Sequence, residues 1–249
     1  MPYRTNIAYV YDGTFDGVLC CVYESYYQKE MPSIITSYDK EVLTLFPVKE
    51  IITNQTFAQK VENSIVISIS REALKLVQLC FLSKIEDREI IILHFLRLGY
   101  KKGAKVIDML ADDIVSKITK AAHNVSGECH KYKGFLRFSE YNGALVAIIE
   151  PKNFVLPILA PHFCDRFPNE QFMIYDKAHK HIFIYQNGEK HLFPLENLEL
   201  PEVEEEEEMY RALWKQFYKT IAIEGRYNPK VRMNLMPKRY WGQMTEFME

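Results

Sequence analysis

Cysteine is scarce and scattered in this chain, net charge is almost absent, and no apolar run is long. The five cysteines (Cys20, Cys21, Cys80, Cys129, Cys164) are odd in number and never spaced C-x-x-C. That leaves no readable disulfide framework and no complete zinc or iron–sulfur motif, and predicts reduced, mostly buried thiols. No apolar stretch approaches the ~20 residues of a membrane span. The opening Met1-Pro2-Tyr3-Arg4-Thr5 lacks the apolar core of a signal peptide, so a cytoplasmic location with no membrane partner is expected. Net charge is −2, so no global field draws in nucleic acid, and any such binding must come from a local patch. Neither G-K-[ST] nor G-x-G-x-x-G occurs, which argues against the common phosphate loops. No internal repeat at solenoid periods is visible.

The 249 residues suffice for one large domain or two small ones, and the chain is rich in Tyr (16) and Phe (15). The near-neutral total averages two opposed segments. Glu196 to Glu208 holds eight glutamates and no Lys or Arg. Met209 to Glu249 holds eight Lys or Arg against three Glu, a local excess of five positive charges. Within it, 226–241 gathers two prolines, five basic residues and three aromatics. Pro229 and Pro237 exclude one uninterrupted helix there. Basic groups interleaved with aromatics suit a phosphate backbone and an unstacked base. A tail that docks by burying Leu235, Met236 and Trp241 is the equal alternative.

The fold class expected is α+β, in four segments that could also form one compact domain. Segment 1–69 reads as β-α-β-α: Ile7 to Tyr11 as a strand, Asp12-Gly13 as a turn, a helix capped by Thr14, a strand over 45–52, and a helix capped by Thr53 or Asn54. Segment 70–133 reads as a helical bundle, with Ser70 as a cap and Ser83-Lys84-Ile85-Glu86 as a capping box. Segment 134–195 reads as a β-β-α-β-β antiparallel sheet, its first hairpin at Asn142-Gly143 and its end at Asn187-Gly188. Segment 196–249 reads as an acidic linker, a helix through Tyr210, Leu213, Trp214, Phe217, Tyr218 and Ile221, and the basic tail.

The nearest approach to a catalytic cluster is Pro161 to Pro168. Helical spacing puts His162 and Arg166 on one face, with Asp165 beside them, and separates His162 from Cys164. His162, Asp165 and Arg166 are the catalytic candidates, and an enzyme would need them to converge with Asp12 or Asp16; the favoured reading is structural, with His162 packed against the sheet. Whether any reaction is performed is left open. His179 and His181 lack a carboxylate at matching spacing, and no metal site is assigned.

Five motifs then occur in order: Tyr9-Val10-Tyr11-Asp12-Gly13-Thr14-Phe15-Asp16-Gly17, Gly134-Phe135-Leu136-Arg137-Phe138, Ala160-Pro161-His162-Phe163-Cys164-Asp165-Arg166-Phe167-Pro168, Leu213-Trp214-Lys215-Gln216-Phe217-Tyr218, and Asn228-Pro229 followed by Met236-Pro237-Lys238-Arg239-Tyr240-Trp241. Together they resemble the bacterial family labelled "probable DNA metabolism protein". The resemblance implies a DNA-associated accessory protein that works with a radical-SAM protein of DNA repair or modification. A similar domain is sometimes joined to a uracil-DNA-glycosylase-like domain. It also implies that the iron–sulfur cluster and SAM belong to the partner, with no cofactor in this chain. No catalytic residue is carried across, and Cys164 departs from the small residue expected there. The residues expected to meet DNA are Arg226, Lys230, Arg232, Lys238, Arg239, Tyr240 and Trp241. A scaffold without DNA affinity of its own and a nucleobase-processing enzyme are the alternatives.

Overall fold

The computed structural model describes residues 5–40, 44–201 and 205–247. The opening Met1 to Arg4, positions 202–204 of the glutamate run, and Glu249 lie outside them. The chain divides into two units, Met1–Ser126 and Gly127–Glu249, and the division falls inside one helix. The class is α+β, with one small sheet in each unit.

In the N-terminal unit, strand β1 (Ala8–Tyr11) lies between β2 (Ile34–Ser37) and β3 (Val48–Glu50), both parallel to it. Helix α1 (Phe15–Tyr27) starts where predicted: the Thr14 hydroxyl accepts from Gly17 N, and Asp12 in turn accepts from Thr14 N at 3.0 Å and Thr14 Oγ1 at 2.7 Å. Gly13 turns the chain at φ +79. A Cβ on Gly17 would lie 2.3 Å from Asp12 Oδ1 and 2.6 Å from Tyr11, so only glycine lets α1 sit this close to β1. Helix α2 (Gln55–Ser68) is capped by Asn54, and α3 (Arg71–Phe81) by Ser70.

Two expectations change here. Strand β2 was not read from the sequence. The capping box at Ser83 does not form: helix α4 (Arg88–Lys102) begins later, and the Ser83 hydroxyl donates instead to Cys80 O at 2.6 Å. Ile92, Leu93, Phe95 and Leu96 of α4 are fully buried. Two carboxylates go into this core with partners. Glu30 accepts from Tyr9 at 2.6 Å and Lys49 at 2.9 Å, and Glu89 accepts from Tyr11 at 2.9 Å. A buried carboxylate is tolerable only with such partners.

Helix α5 (Asp113–Phe135) carries the chain into the second unit. There the sheet order is β4 (Ser139–Tyr141), β5 (Ala144–Ile149), β6 (Phe172–Asp176), β7 (His181–Gln186), β8 (Glu189–Pro194). The expected antiparallel sheet is in fact mixed, because β5 and β6 run parallel. The helix between them, α6 (Leu156–Arg166), is a crossover, and a crossover returns the chain in the same direction. Nor does Asn187-Gly188 end the sheet. With φ of 52 and 83, the pair forms the tight turn into β8, pairing Gln186 with Glu189. Every residue of β8 is exposed, so it shows no buried face for a pattern to reveal.

Helix α7 (Glu205–Thr220) follows, then a 3-10 turn at Glu224–Arg226, the short helix α8 (Pro229–Leu235), and 3-10 turns at Lys238–Gln243 and Thr245–Phe247. No helix among the described residues is long and apolar enough to cross a membrane.

Candidate nucleic-acid interface

The C-terminal tail is strapped to its unit by two residues that the sequence does not single out as anchors. Tyr240, 1% exposed, sits with its ring 5.0 Å from that of Tyr132 and 5.3 Å from that of Phe135. Met244 is fully buried. Leu235, expected to anchor the tail, is 72% exposed instead. Tyr240 therefore has no free face for a base, which corrects its expected stacking role. Its ring is apolar surface held in the core, and its hydroxyl accepts from Arg239 Nη2.

Glu128 holds the strap electrostatically. Its buried carboxylate accepts from Lys152 N (3.0 Å), Asn153 N (2.9 Å) and Asn153 Nδ2 (2.6 Å), and pairs with Arg239 Nη2 at 3.0 Å. Gln243 completes the attachment at the strand edge left open beyond β4. With its amide oriented to suit, Nε2 donates to Ile148 O (3.1 Å) and Oε1 accepts from Glu150 N (3.3 Å). Glu246 then ties the last turn to α7. It accepts from Arg137 Nη2 at 2.7 Å and from Trp214 Nε1 at 3.0 Å. Burial pushes the Glu246 carboxyl up, but the bonds from Arg137 and Trp214 outweigh it and hold the group below the ordinary range.

These ties position α7 beside α6 and leave a cleft of about 880 Å³ between them. Its aromatic walls are Phe163 and Phe167 on one side and Tyr210, Trp214 and Phe217 on the other, with Phe138 between. Lys133, Arg137, Arg166 and Arg211 line it as well, with Glu207 the single acid. Arg137 is committed to Glu246, and Arg211 to Glu207 at 2.8 Å and Ser139 at 2.7 Å. Lys133 and Arg166 are exposed, with no ion pair among the described residues.

Of the catalytic candidates, Arg166 lines the cleft, Asp165 is exposed, and His162 is half-buried with its ring edge-on to Phe163. Burial first, then the charges of Lys133 and Arg166, lower the His162 pKa, so its imidazole is neutral at pH 7. Cys164 is buried, and burial pushes its thiol up, away from a nucleophilic thiolate. His179 staples the β6–β7 turn, its Nδ1 lying 2.8 Å from buried Asp176. No group of three or more His, Cys, Asp or Glu among the described residues could hold a metal.

The remaining basic residues fall into two sets. Arg226, Lys230 and Lys238 are exposed. Arg239 is bound to Glu128, and the Arg232 guanidinium lies over the rings of Trp241 (5.1 Å), Tyr227 (5.4 Å) and Phe247 (5.5 Å). Trp241 stacks on Phe247 at 4.6 Å and donates to Met236 O at 2.9 Å. Lys133, Arg137, Arg211, Trp214 and Phe217 were not predicted as site residues. The signal was present in Tyr210, Leu213, Trp214 and Phe217 at helical spacing with Arg211 and Lys215 interleaved, but such a stripe reads as a buried face. The structure leaves it at the surface, with Phe217 52% exposed.

These features define a mixed α+β unit with an open cleft, aromatic on both walls and cationic at its edges. The chain belongs to the DUF4130 family, described as a domain of unknown function, whose profile matches residues 86–246. No curated protein and no solved structure matches it.

Proposed function

We propose that this is a DNA-associated accessory protein that holds single-stranded or locally unpaired DNA for a radical-SAM repair or modification enzyme. The observation that carries the reading is the cleft, in which six aromatic side chains and four cations meet. Its volume of about 880 Å³ lies within the ~300–1,000 Å³ usual for ligand clefts. Each base stacked on an aromatic ring contributes ~1–3 kcal/mol. Lys133 and Arg166 meet the phosphates at the mouth, and Arg226, Lys230 and Lys238 continue the contact along the strand. Arg232, Arg239 and Tyr240 serve this surface indirectly, by fixing the tail. Iron–sulfur and SAM chemistry belong to the partner in this reading.

Anisotropy of a fluorescein-labelled oligothymidylate tests it. Lys133→Ala plus Arg166→Ala should weaken binding at least tenfold and make the salt dependence shallower, because each lost phosphate contact removes ~0.7 from the slope for single strands. Unchanged affinity and slope would sink the reading.

A second reading follows from the exposed apolar face of α7, where Met209, Tyr210, Leu213 and Phe217 are each more than half exposed. That face suits a protein partner. Here the chain is a scaffold: Leu213→Glu abolishes capture of the radical-SAM partner, and the isolated chain has no DNA affinity.

A further inference from the structure

We propose a second ligand site, in the N-terminal unit, for a planar aromatic ring carrying one anionic group, the chemistry of a nucleotide. Tyr23, Tyr26 and Tyr27 of α1, Lys60 and Ser64 of α2, and Tyr100 of α4 line a cleft of about 480 Å³ over a floor of Val22 and Val61. The helical spacing of 23, 26 and 27 puts three rings on one face of α1.

The rings are held in place before any ligand arrives. Tyr23 stacks on Phe57 at 4.4 Å with planes 8° apart, and Tyr27 continues the array at 6.0 Å and 12°. Tyr26 meets the edge of Tyr100 at 5.7 Å and lies under the Arg97 guanidinium at 4.6 Å. Arg97 is itself anchored on Ser25 O at 3.2 Å and Glu30 O at 2.8 Å. Tyr100 and Ser64 share a hydrogen bond of 2.5 Å at one end of the cleft. Yet Tyr27 stays 70% exposed and Tyr26 37%, so the fixed aromatic shelf is left uncovered. Pre-positioned rings spare a ligand the cost of ordering them.

Charge selects the ligand class. Stacked tyrosines alone would also suit a cation, but Lys60 at the rim and Arg97 behind Tyr26 place like charge against one. A ring that stacks on Tyr27 and carries an anion toward Lys60 satisfies both features. Ser64 donates to Val61 O at 2.8 Å, so Tyr100 donates to Ser64, and the paired hydroxyls offer acceptor oxygens to a ring N–H or amino group.

Isothermal titration of the full chain with adenosine 5′-monophosphate, adenosine and inorganic phosphate tests the site. The monophosphate should bind, adenosine should bind at least fivefold more weakly, and phosphate alone should give no heat. Tyr27→Ala plus Lys60→Ala, both at exposed positions, should weaken the monophosphate at this site at least tenfold, while Trp214→Ala plus Phe217→Ala, which remove stacking in the C-terminal cleft alone, should leave this site's share of the heat in place. A dinucleotide arm separates sources: tighter binding than the monophosphate assigns a strand segment, equal or weaker binding a free nucleotide, and each supports the site. No heat with the monophosphate, or heat lost in the Trp214 and Phe217 variant but kept in the Tyr27 and Lys60 variant, overturns the proposal. The second outcome would leave the C-terminal cleft standing as the sole nucleotide site.

Discussion

Replacing Tyr240 separates a tail that is strapped down from one that reaches out to DNA. The ring is almost fully buried and packs edge-on against Tyr132 and tilted against Phe135. Truncating a buried aromatic to alanine costs ~3–5 kcal/mol, the lost transfer energy plus the cavity left behind. Within that, each ring pair accounts for ~0.5–1.5 kcal/mol. Tyr240→Ala should therefore lose most of this range in the C-terminal unit. Tyr240→Phe keeps both ring contacts and gives up the bond from Arg239, a cost on the order of 1 kcal/mol. Urea unfolding followed by tryptophan emission reads the right unit, because Trp214 and Trp241 both lie in it. Oligothymidylate affinity should be unchanged in Tyr240→Phe, since no base touches that ring. An alanine variant that unfolds at the wild-type midpoint yet binds DNA more weakly would refute the reasoning and restore Tyr240 to the interface.

Gly17→Ala should destabilise the N-terminal unit by ~1–3 kcal/mol through overpacking against Asp12 and Tyr11. Gly127→Ala, where a Cβ meets nothing within 4 Å, should instead stabilise by ~0.5–1 kcal/mol, and equal midpoints for the two would contradict the packing argument. The folded-state pKa of Glu246 lies below its unfolded value of ~4.3, so its contribution is complete above that pH and fades as pH falls through the folded value. Trp214 emission should accordingly report release of the last turn only below about pH 4.3, and a change centred near neutrality would count against the Arg137 and Trp214 contacts. Burial pushes the thiols of Cys20, Cys21, Cys129 and Cys164 up, and that of Cys80 up to about 12. A thiol reagent at pH 8 should react slowly with the native chain and with all five cysteines in urea; fast native labelling of one would expose a thiol the structure buries.

Local chemistry carried much of the fold reading. Thr14, Asn54 and Ser70 cap helices where their side chains suit the free backbone N–H groups, and Asn142-Gly143 turns a hairpin because both residues accept positive φ. The misses have physical causes. Strand β8 is solvent-exposed on both faces and shows no alternation of apolar residues. The parallel step from β5 to β6 depends on where α6 returns the chain, which pairwise patterns do not encode. Helix α4 begins only at Arg88, so Ser83 lies too far ahead of it to cap its free N–H groups, and the Ser83 hydroxyl donates to Cys80 O of the preceding turn. The site was less legible. Tail composition marked a basic region, but burial of Tyr240 and capture of Arg239 by Glu128 take two of its expected contacts inward. The cleft is assembled mainly from α5, α6 and α7, and its lining residues are separated by up to 112 positions, from Lys133 to Thr245. Only the fold brings them together.

The central claim is that bases stack in this cleft, and emission from Trp214 tests it directly. In a Trp241→Phe background Trp214 is the single tryptophan. Titration with oligothymidylate should quench it with the same midpoint as the anisotropy change, and Phe217→Ala should weaken both together. Binding with unaltered Trp214 emission, or no binding at all, would contradict the account.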